Sequence, residues 1–264
     1  MKRTLTHRLA TIWSILVGIL LIAPILIVIP LSFAPNRSFQ FPPSGFSLQW
    51  YENIFTNKAW YSSLTESLTV ALLVAIVSTV LGTLAALALR WAPRGSALVR
   101  GLLLSPMVMP GIITAVAMYS LFLQWHLNNT LLGFVIGHTV LAIPFVIIAV
   151  EANLHSYDRN HNRAAATLGS APIPTFFRIT LPQIIPGVLS GAGFAFITSF
   201  DEVVLAIFIQ GPNIKTLPVQ MWNSVRQETD PTMSAIASLM VVIATVIILL
   251  VSVSRTKKLS RREA

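Results

Sequence analysis

The sequence predicts an all-α membrane protein, one domain over residues 1–264 with six spanning helices, on three observations. The chain is 55% hydrophobic and only 10% charged, with a mean hydropathy of +0.75. That is too little charge to cover the surface of a soluble domain. Its apolar residues fall into six long blocks, each near the roughly 20 residues that a helix needs to cross about 30 Å of hydrocarbon. Its cations are shared unevenly between the loops that separate those blocks.

The first block, about 11–33, follows Lys2, Arg3 and Arg8. A basic start suits a secretory signal, but this run is too long for a signal core and no small-x-small site closes it, so it is expected to remain as a span. The connection 34–64 contains SLQWYENIF, with Leu48, Tyr51, Ile54 and Phe55 on one helical face and Trp50 and Trp60 nearby. This pattern fits an amphipathic helix at the interface, docking a partner or packing between spans one and two. Blocks two to four run about 65–89, 101–124 and 130–150; the third and fourth carry Pro106, Pro110, Gly111 and Pro144. Membrane helices tolerate such breakers when neighbours satisfy the freed carbonyls. Block five, about 184–209, contains Gly187 and Gly191 in the G-x-x-x-G spacing that permits close helix approach, and block six runs about 233–254.

The loops set the orientation. Lys2, Arg3, Arg8, Arg90, Arg94, Arg100, Arg159, Arg163, Arg178, Arg255, Lys257, Lys258, Arg261 and Arg262 fall on one side, fourteen of the eighteen Lys and Arg. Arg37, Lys58, Lys215 and Arg226 fall on the other. The positive-inside rule puts both termini and the richer loops in the cytoplasm. The net charge of +9 is then a topology signal, which removes the case for a nucleic-acid partner.

One cytoplasmic loop, about 155–183, is unlike the rest of the chain: RAAATLGSAPIPTFFRITLPQ is polar and punctuated by Gly and Pro. It predicts two short helices. Asp158 caps the first, which closes at Gly169; Ser170 caps the second, Pro172 and Pro174 occupy its first turn, and Pro182 stops it. Ala164, Ala165 and Ala166 give a small face, and Phe176 and Phe177 a paired aromatic, suited to a groove on another protein or to a plain connector.

The spacing of this loop resembles the cytoplasmic Glu-Ala-Ala loop of ABC-importer permeases: Glu-Ala-Ala, three residues, Gly, nine residues, Ile, one residue, Leu-Pro. Ala164, Ala165, Gly169, Ile179, Leu181 and Pro182 match, while Arg163 stands where the family has Glu, a charge reversal. The likeness extends over nearly all of the chain, including SFDEVVLAIFIQGP and TLPVQMW, and is closer to the second permease of spermidine/putrescine importers. The resemblance implies the type I permease fold, with the loop seated in a cleft of a cytoplasmic ATPase. It implies a second permease, most simply in a heterodimer, two ATPase copies and an extracytoplasmic binding protein in a bacterial inner membrane. Loss of the Glu removes any contact specific to position 163, and the cognate ATPase is expected to present an acid there.

Other chemistry is missing. There is no G-x-x-x-x-G-K-[ST], so ATP and Mg belong on the partner ATPase, and the chain needs no cofactor of its own. The histidines have no metal-ligand spacing and there are no cysteines. His138, inside span four, reads as a hydrogen-bonded packing residue or as pathway lining. Two function classes remain: the membrane subunit of an ATP-driven importer, or a secondary transporter that uses intramembrane acids for proton coupling. The 163–182 loop favours the importer.

Those acids are Asp201 and Glu202. Asp201 comes 17 residues after Ile184, about 26 Å along a helix, so both are expected towards the outer third of span five. On one continuous helix they project about 100° apart, which predicts one facing the pathway and the other a neighbouring helix. Phe194 or Tyr119 can add a cation–π contact for a bound ammonium, with Thr198 also lining the path. Polyamine is the substrate that the resemblance implies; an aminophosphonate or another small zwitterion is the alternative.

Overall fold

The computed structural model describes residues 2–37, 39–91, 96–158, 160–227 and 230–246. These divide into two compact units, one from the residues up to Tyr61 and from Met221 onward, the other Ser62–Gln220. Among the described residues the regular structure is helical, and four helices are long and apolar enough to cross a membrane.

In the first unit, α1 (Lys2–Leu31) is one long helix with Pro24 and Pro30 inside it. Its side chains from Leu9 to Ile27 are largely exposed apolar groups, a surface suited to lipid or another chain rather than water. A short helix, α2 (Gln49–Thr56), follows the connection after α1. The expected face is corrected here: Trp50 and Ile54 are buried, whereas Leu48 and Phe55 are exposed. Polar anchors decide it. The Trp50 indole N–H donates to the Ala34 carbonyl at 2.6 Å, and the Tyr51 hydroxyl lies 2.7 Å from the Ser32 hydroxyl and 3.2 Å from that of Ser238. Asn53 donates to Thr232 at 2.7 Å. These bonds make α2 a packing element tied to the end of α1 and to the last described helix, Thr232–Val246. The remainder of expected span six, to about residue 254, lies outside the described residues.

The second unit is built around α3 (Lys58–Trp91), α4 (Ser96–Val108), α5 (Gly111–Gln124), α6 (Leu131–His155) and α9 (Leu181–Phe200). Between α6 and α9 lie α7 (Asn160–Thr167), α8 (Pro172–Thr175) and a π-helical turn, Phe176–Thr180. After α9 comes α10 (Val204–Ile209), and the unit closes in the first residues of α11 (Leu217–Gln227), whose remainder from Met221 belongs to the first unit. The apolar core includes Phe122, Phe134, Ile147, Ile184 and Leu205.

Glycines set the closest packing. A Cβ on Gly191 would sit 3.1 Å from Val146 Cα, and one on Gly187 would sit 2.7 Å from the Ala149 carbonyl. The G-x-x-x-G face of α9 therefore lies directly on α6, as that spacing predicts. From the other side, Val146 also meets Gly82 of α3.

Two expected spans are corrected. The third is not one straight helix: α4 and α5 meet at 101°. Pro110 donates no amide hydrogen and disfavours the helical conformation at Met109, so the chain turns where the sequence carries Pro-Gly. The fifth ends at Phe200, and a new short helix starts at Val204. Asp201 and Glu202 therefore lie at a break and not on a continuous helix.

Candidate coupling loop and substrate pathway

The loop expected to meet the ATPase is built largely as its sequence implies. Asp158 accepts a hydrogen bond from the Asn160 amide at 2.9 Å, the cap for α7. Gly169 adopts φ +80°. Around it the Ser170 amide donates to the Ala165 carbonyl at 2.9 Å and the Gly169 amide to the Ala166 carbonyl at 3.0 Å. This paired arrangement closes a helix through a left-handed residue and satisfies two of its last carbonyls.

Two details differ. Ser170 does not cap α8, whose N-cap is Ala171; its hydroxyl accepts instead from the Thr175 hydroxyl at 2.9 Å. Pro182 does not stop the second helix, which runs on from Pro172 to Phe200. The π turn makes this possible: the Leu181 amide reaches back to the Phe176 carbonyl, five residues earlier. The wider turn admits a proline whose ring would crowd a regular α-helix and whose amide cannot donate.

The loop presents a mixed surface. Ala165 is buried, so the small face is divided, with Ala164 and Ala166 exposed and Ala165 turned inward. Arg163 is exposed and makes no ion pair among the described residues. Leu168, Ile173 and Phe177 are 87%, 71% and 59% exposed, three large apolar side chains presented by a polar loop. Phe176 is half-buried and meets Phe177 edge-on at 5.1 Å. Ile179 and Leu181 are half-buried and Pro182 is exposed.

Residues not singled out by sequence hold the loop in shape. Tyr157 donates to the Asn162 side chain and lies 3.2 Å from the Thr180 hydroxyl, which itself donates to Asn162 at 3.3 Å. Arg90, in the last turn of α3, donates to the Tyr157 carbonyl at 2.9 Å and lies over its ring. No local spacing reveals this cluster, since its members come from four separate elements.

At the break after α9 the two acids differ. The Glu202 carboxylate accepts from the Leu205 amide at 2.9 Å and the Ala206 amide at 3.0 Å. It closes the start of α10, satisfying amides that lipid would leave without partners. His138 is fully buried on α6, with Nδ1 3.0 Å from the Ser199 hydroxyl and Nε2 3.8 Å from the Glu202 carboxylate. The hydrogen bond gives His138 a packing role that ties α6 to the break. Asp201 is exposed, and its carboxylate has no hydrogen bond or ion pair among the described residues. Nor does any hydrogen bond reach the carbonyls of Thr198, Ser199 and Phe200 among the described residues. Phe194, Thr198 and Asp201 are spaced four and three residues apart, along one helical face, and Phe194 is 53% exposed. Tyr119 pairs instead with Phe208, 6.2 Å away between ring centres, where α5 packs on α10.

Comparison with known proteins matches residues 78–262 to the family described as binding-protein-dependent transport system inner membrane component. The putrescine transport system permease protein PotI of Escherichia coli strain K12 is 33% identical over 239 residues, 86% of this chain and 85% of the relative. The spermidine/putrescine transport system permease protein PotC of Haemophilus influenzae is 30% identical over 228 residues, 86% and 88% of the two chains. A solved bacterial ABC transporter involved in the import of the acidic polysaccharide alginate has a chain of the same fold. Its TM-score is 0.67 at 15% identity, covering 94% of this chain and 96% of that one. The secondary-transporter alternative falls, since membership of the family makes this a membrane component of a larger transport system and not a self-sufficient carrier or an enzyme. The chain belongs to the binding-protein-dependent transport system inner membrane component family, the permeases of bacterial ABC importers.

Proposed function

We propose that this chain forms half the translocation pathway of an ATP-driven polyamine importer. It pairs with a second, similar permease in a heterodimer, served by two copies of a cytoplasmic ATPase and an extracytoplasmic binding protein. The chain crosses the membrane six times with both termini in the cytoplasm. Four long helices make four crossings, the bent α4–α5 pair a fifth, and the helix from Thr232 begins the sixth.

Asp201 carries the substrate reading. It is an unpartnered carboxylate at the end of α9, inside an apolar segment, beside three carbonyls that accept no hydrogen bond among the described residues. The macrodipole favours cations at a helix C-terminus, and broken half-helices hold cations in other transporters through such carbonyls. A polyamine ammonium fits this end, with Thr198 and Phe194 continuing the stripe. Glu202 is occupied with α10 and is a positioning residue. Tyr119, tilted against Phe208, shapes the wall behind it. On the cytoplasmic side Leu168, Ile173 and Phe177 dock on the ATPase around the frame held by Ala165, Gly169, Ile179, Leu181 and Pro182. Arg163 contributes a cation for which the cognate ATPase supplies an acid.

The test is spermidine and putrescine uptake by the full complex in ATP-loaded proteoliposomes. Asp201→Asn removes a charge-assisted bond worth about 1.5–3 kcal/mol, so uptake should fall roughly 10–100-fold with the complex still assembled. Wild-type uptake in Asp201→Asn would remove the substrate assignment. Uptake that persists without ATP, driven by a proton gradient, would remove the importer.

A further inference from the structure

A pocket of about 280 Å³ lies between the N-terminal part of α3, the start of α6 and the segment after α10, within the Ser62–Gln220 unit. We propose that it receives one ammonium end of the incoming polyamine, with the adjoining methylenes, before Asp201 does. The assignment rests on the orientation and the polyamine reading proposed above.

Charge is the first argument. Glu66 is the one ionisable residue among those lining the pocket. Its Oε2 accepts the Lys215 amide, and neither ion pair among the described residues includes it. The next residue, Ser67, holds the Leu217 amide at 2.7 Å with a neutral hydroxyl. Tying down this segment therefore does not require a charge. A carboxylate offers two oxygens and about four lone-pair directions, and the Lys215 amide occupies one of them. Glu66 comes eight residues after Lys58 in an apolar helix, where an acid is costly and marks a cation or a pathway by default.

Shape is the second argument. Thr69, Leu131 and the buried Ile214 give the pocket aliphatic walls beside the carboxylate, with the exposed Asn213 at its rim. An ammonium on a methylene chain matches an acid set in such walls. A bare metal ion, which needs a shell of oxygens, does not. The Asn129 side-chain carbonyl accepts the Asn213 and Ile214 amides at 2.9 and 3.3 Å, and the Asn129 amide donates to the Ile209 carbonyl at 2.8 Å. Ile209 ends α10, and Glu202 closes the start of the same helix. Six residues of helix, about 9 Å, thus join the wall of the pocket to the break that holds Asp201. That continuity favours the transported amine as occupant over a lipid amine or a lysine of the binding protein.

The test places Asn213→Cys in the full complex, reconstituted in phosphatidylcholine vesicles, and follows labelling of this chain by an impermeant maleimide from the outside. Spermidine should slow the reaction, and an uncharged diol of matched length should not. Glu66→Gln should raise the half-protecting spermidine concentration about tenfold, the lower end of what loss of a charge-assisted hydrogen bond costs. The Gln carbonyl can still accept the Lys215 amide, which keeps the segment in place. Thr69→Trp fills the pocket with Glu66 intact and should remove protection as well, whereas Asp201→Asn should retain it. Unchanged protection in Glu66→Gln, or its loss in Asp201→Asn, overturns the proposal. So does equal protection by magnesium at matched ionic strength, which would reduce the effect to screening. Protection that appears only with phosphatidylethanolamine vesicles, or only with the binding protein added, would make the occupant a lipid amine or a lysine, again against the proposal. Uptake separates this site from the reading beneath it. Spermidine that is transported without protecting removes the pocket alone; spermidine that protects without being transported keeps the pocket and removes the substrate reading. Spermidine that does neither removes both.

Discussion

Single residues at the two functional regions act through the backbone as much as through their side chains. Gly169 is one case. With φ at +80° and nothing within 4 Å of where a Cβ would stand, its constraint is conformational and not steric. A β-branched residue there costs about 1–2 kcal/mol in strain. Gly169→Val should weaken ATPase association and uptake together, whereas Gly169→Asn should be milder because Asn tolerates this conformation. Co-purification of the ATPase measures both, and equal retention across Gly, Asn and Val would show that the turn is irrelevant to coupling. Ala165 requires a different interpretation: a bulky replacement at this buried site disrupts the loop itself, so exposed Leu168 or Phe177 is the cleaner probe of a groove. Glu202 is the second case. An amide accepts at one oxygen where the carboxylate uses two, so Glu202→Gln should lower thermal stability by the equivalent of about 1–3 kcal/mol. Its effect on polyamine KM should be smaller than that of Asp201→Asn. A Glu202→Gln protein of wild-type stability and abolished uptake would reverse the roles of the two acids.

At the scale of elements, the glycine face of α9 makes a sharp contrast possible. Gly187 has the Ala149 carbonyl 2.7 Å from its would-be Cβ, whereas Gly193 on the same helix has nothing within 4 Å. Gly187→Ala should destabilise the protein by about 1–3 kcal/mol, the usual cost of overpacking, and Gly193→Ala should not. Thermal melting of the detergent-solubilised complex measures the difference; equal melting points would mean that α6 and α9 do not approach this closely. The same helix continues into the coupling loop through its π turn. The helical run is continuous from Pro172 to Phe200, ending beside Asp201. On the proposed reading, the helix would join the ATPase contact to the end of the pathway with no break except the wide turn itself.

For the whole molecule, orientation is the most direct test. The chain contains no cysteine, so single cysteines report cleanly. Asn213→Cys should react with a membrane-impermeant maleimide from the outside, and Leu168→Cys only from the cytoplasmic side. Labelling at Leu168→Cys should also be blocked when the ATPase is bound and restored when it is stripped. Reaction of both positions from one side would overturn the topology. Insensitivity of Leu168→Cys to the ATPase would move the docking surface elsewhere on the loop.

Class, membrane location and loop spacing were legible in the sequence because they depend on composition and local order. Long apolar blocks and the spacing from Ala164 to Pro182 need no knowledge of distant contacts, and Gly169 adopts the conformation its position in that spacing requires. The misjudgements came where long-range contacts outvote local pattern. The exposed face of α2 was decided by Ala34, Ser32 and Ser238, none of them local to that helix. Pro182 reads as a stop, yet a π turn carries the helix past it. Apolar continuity concealed both the 101° bend at Pro110 and the break after Phe200, since hydropathy records burial in lipid and not backbone direction. Asp201 and Glu202 are adjacent in sequence and chemically near-identical. Only the fold separates them, because it aims the amides of Leu205 and Ala206 at one carboxylate and leaves the other at the end of a helix without a partner.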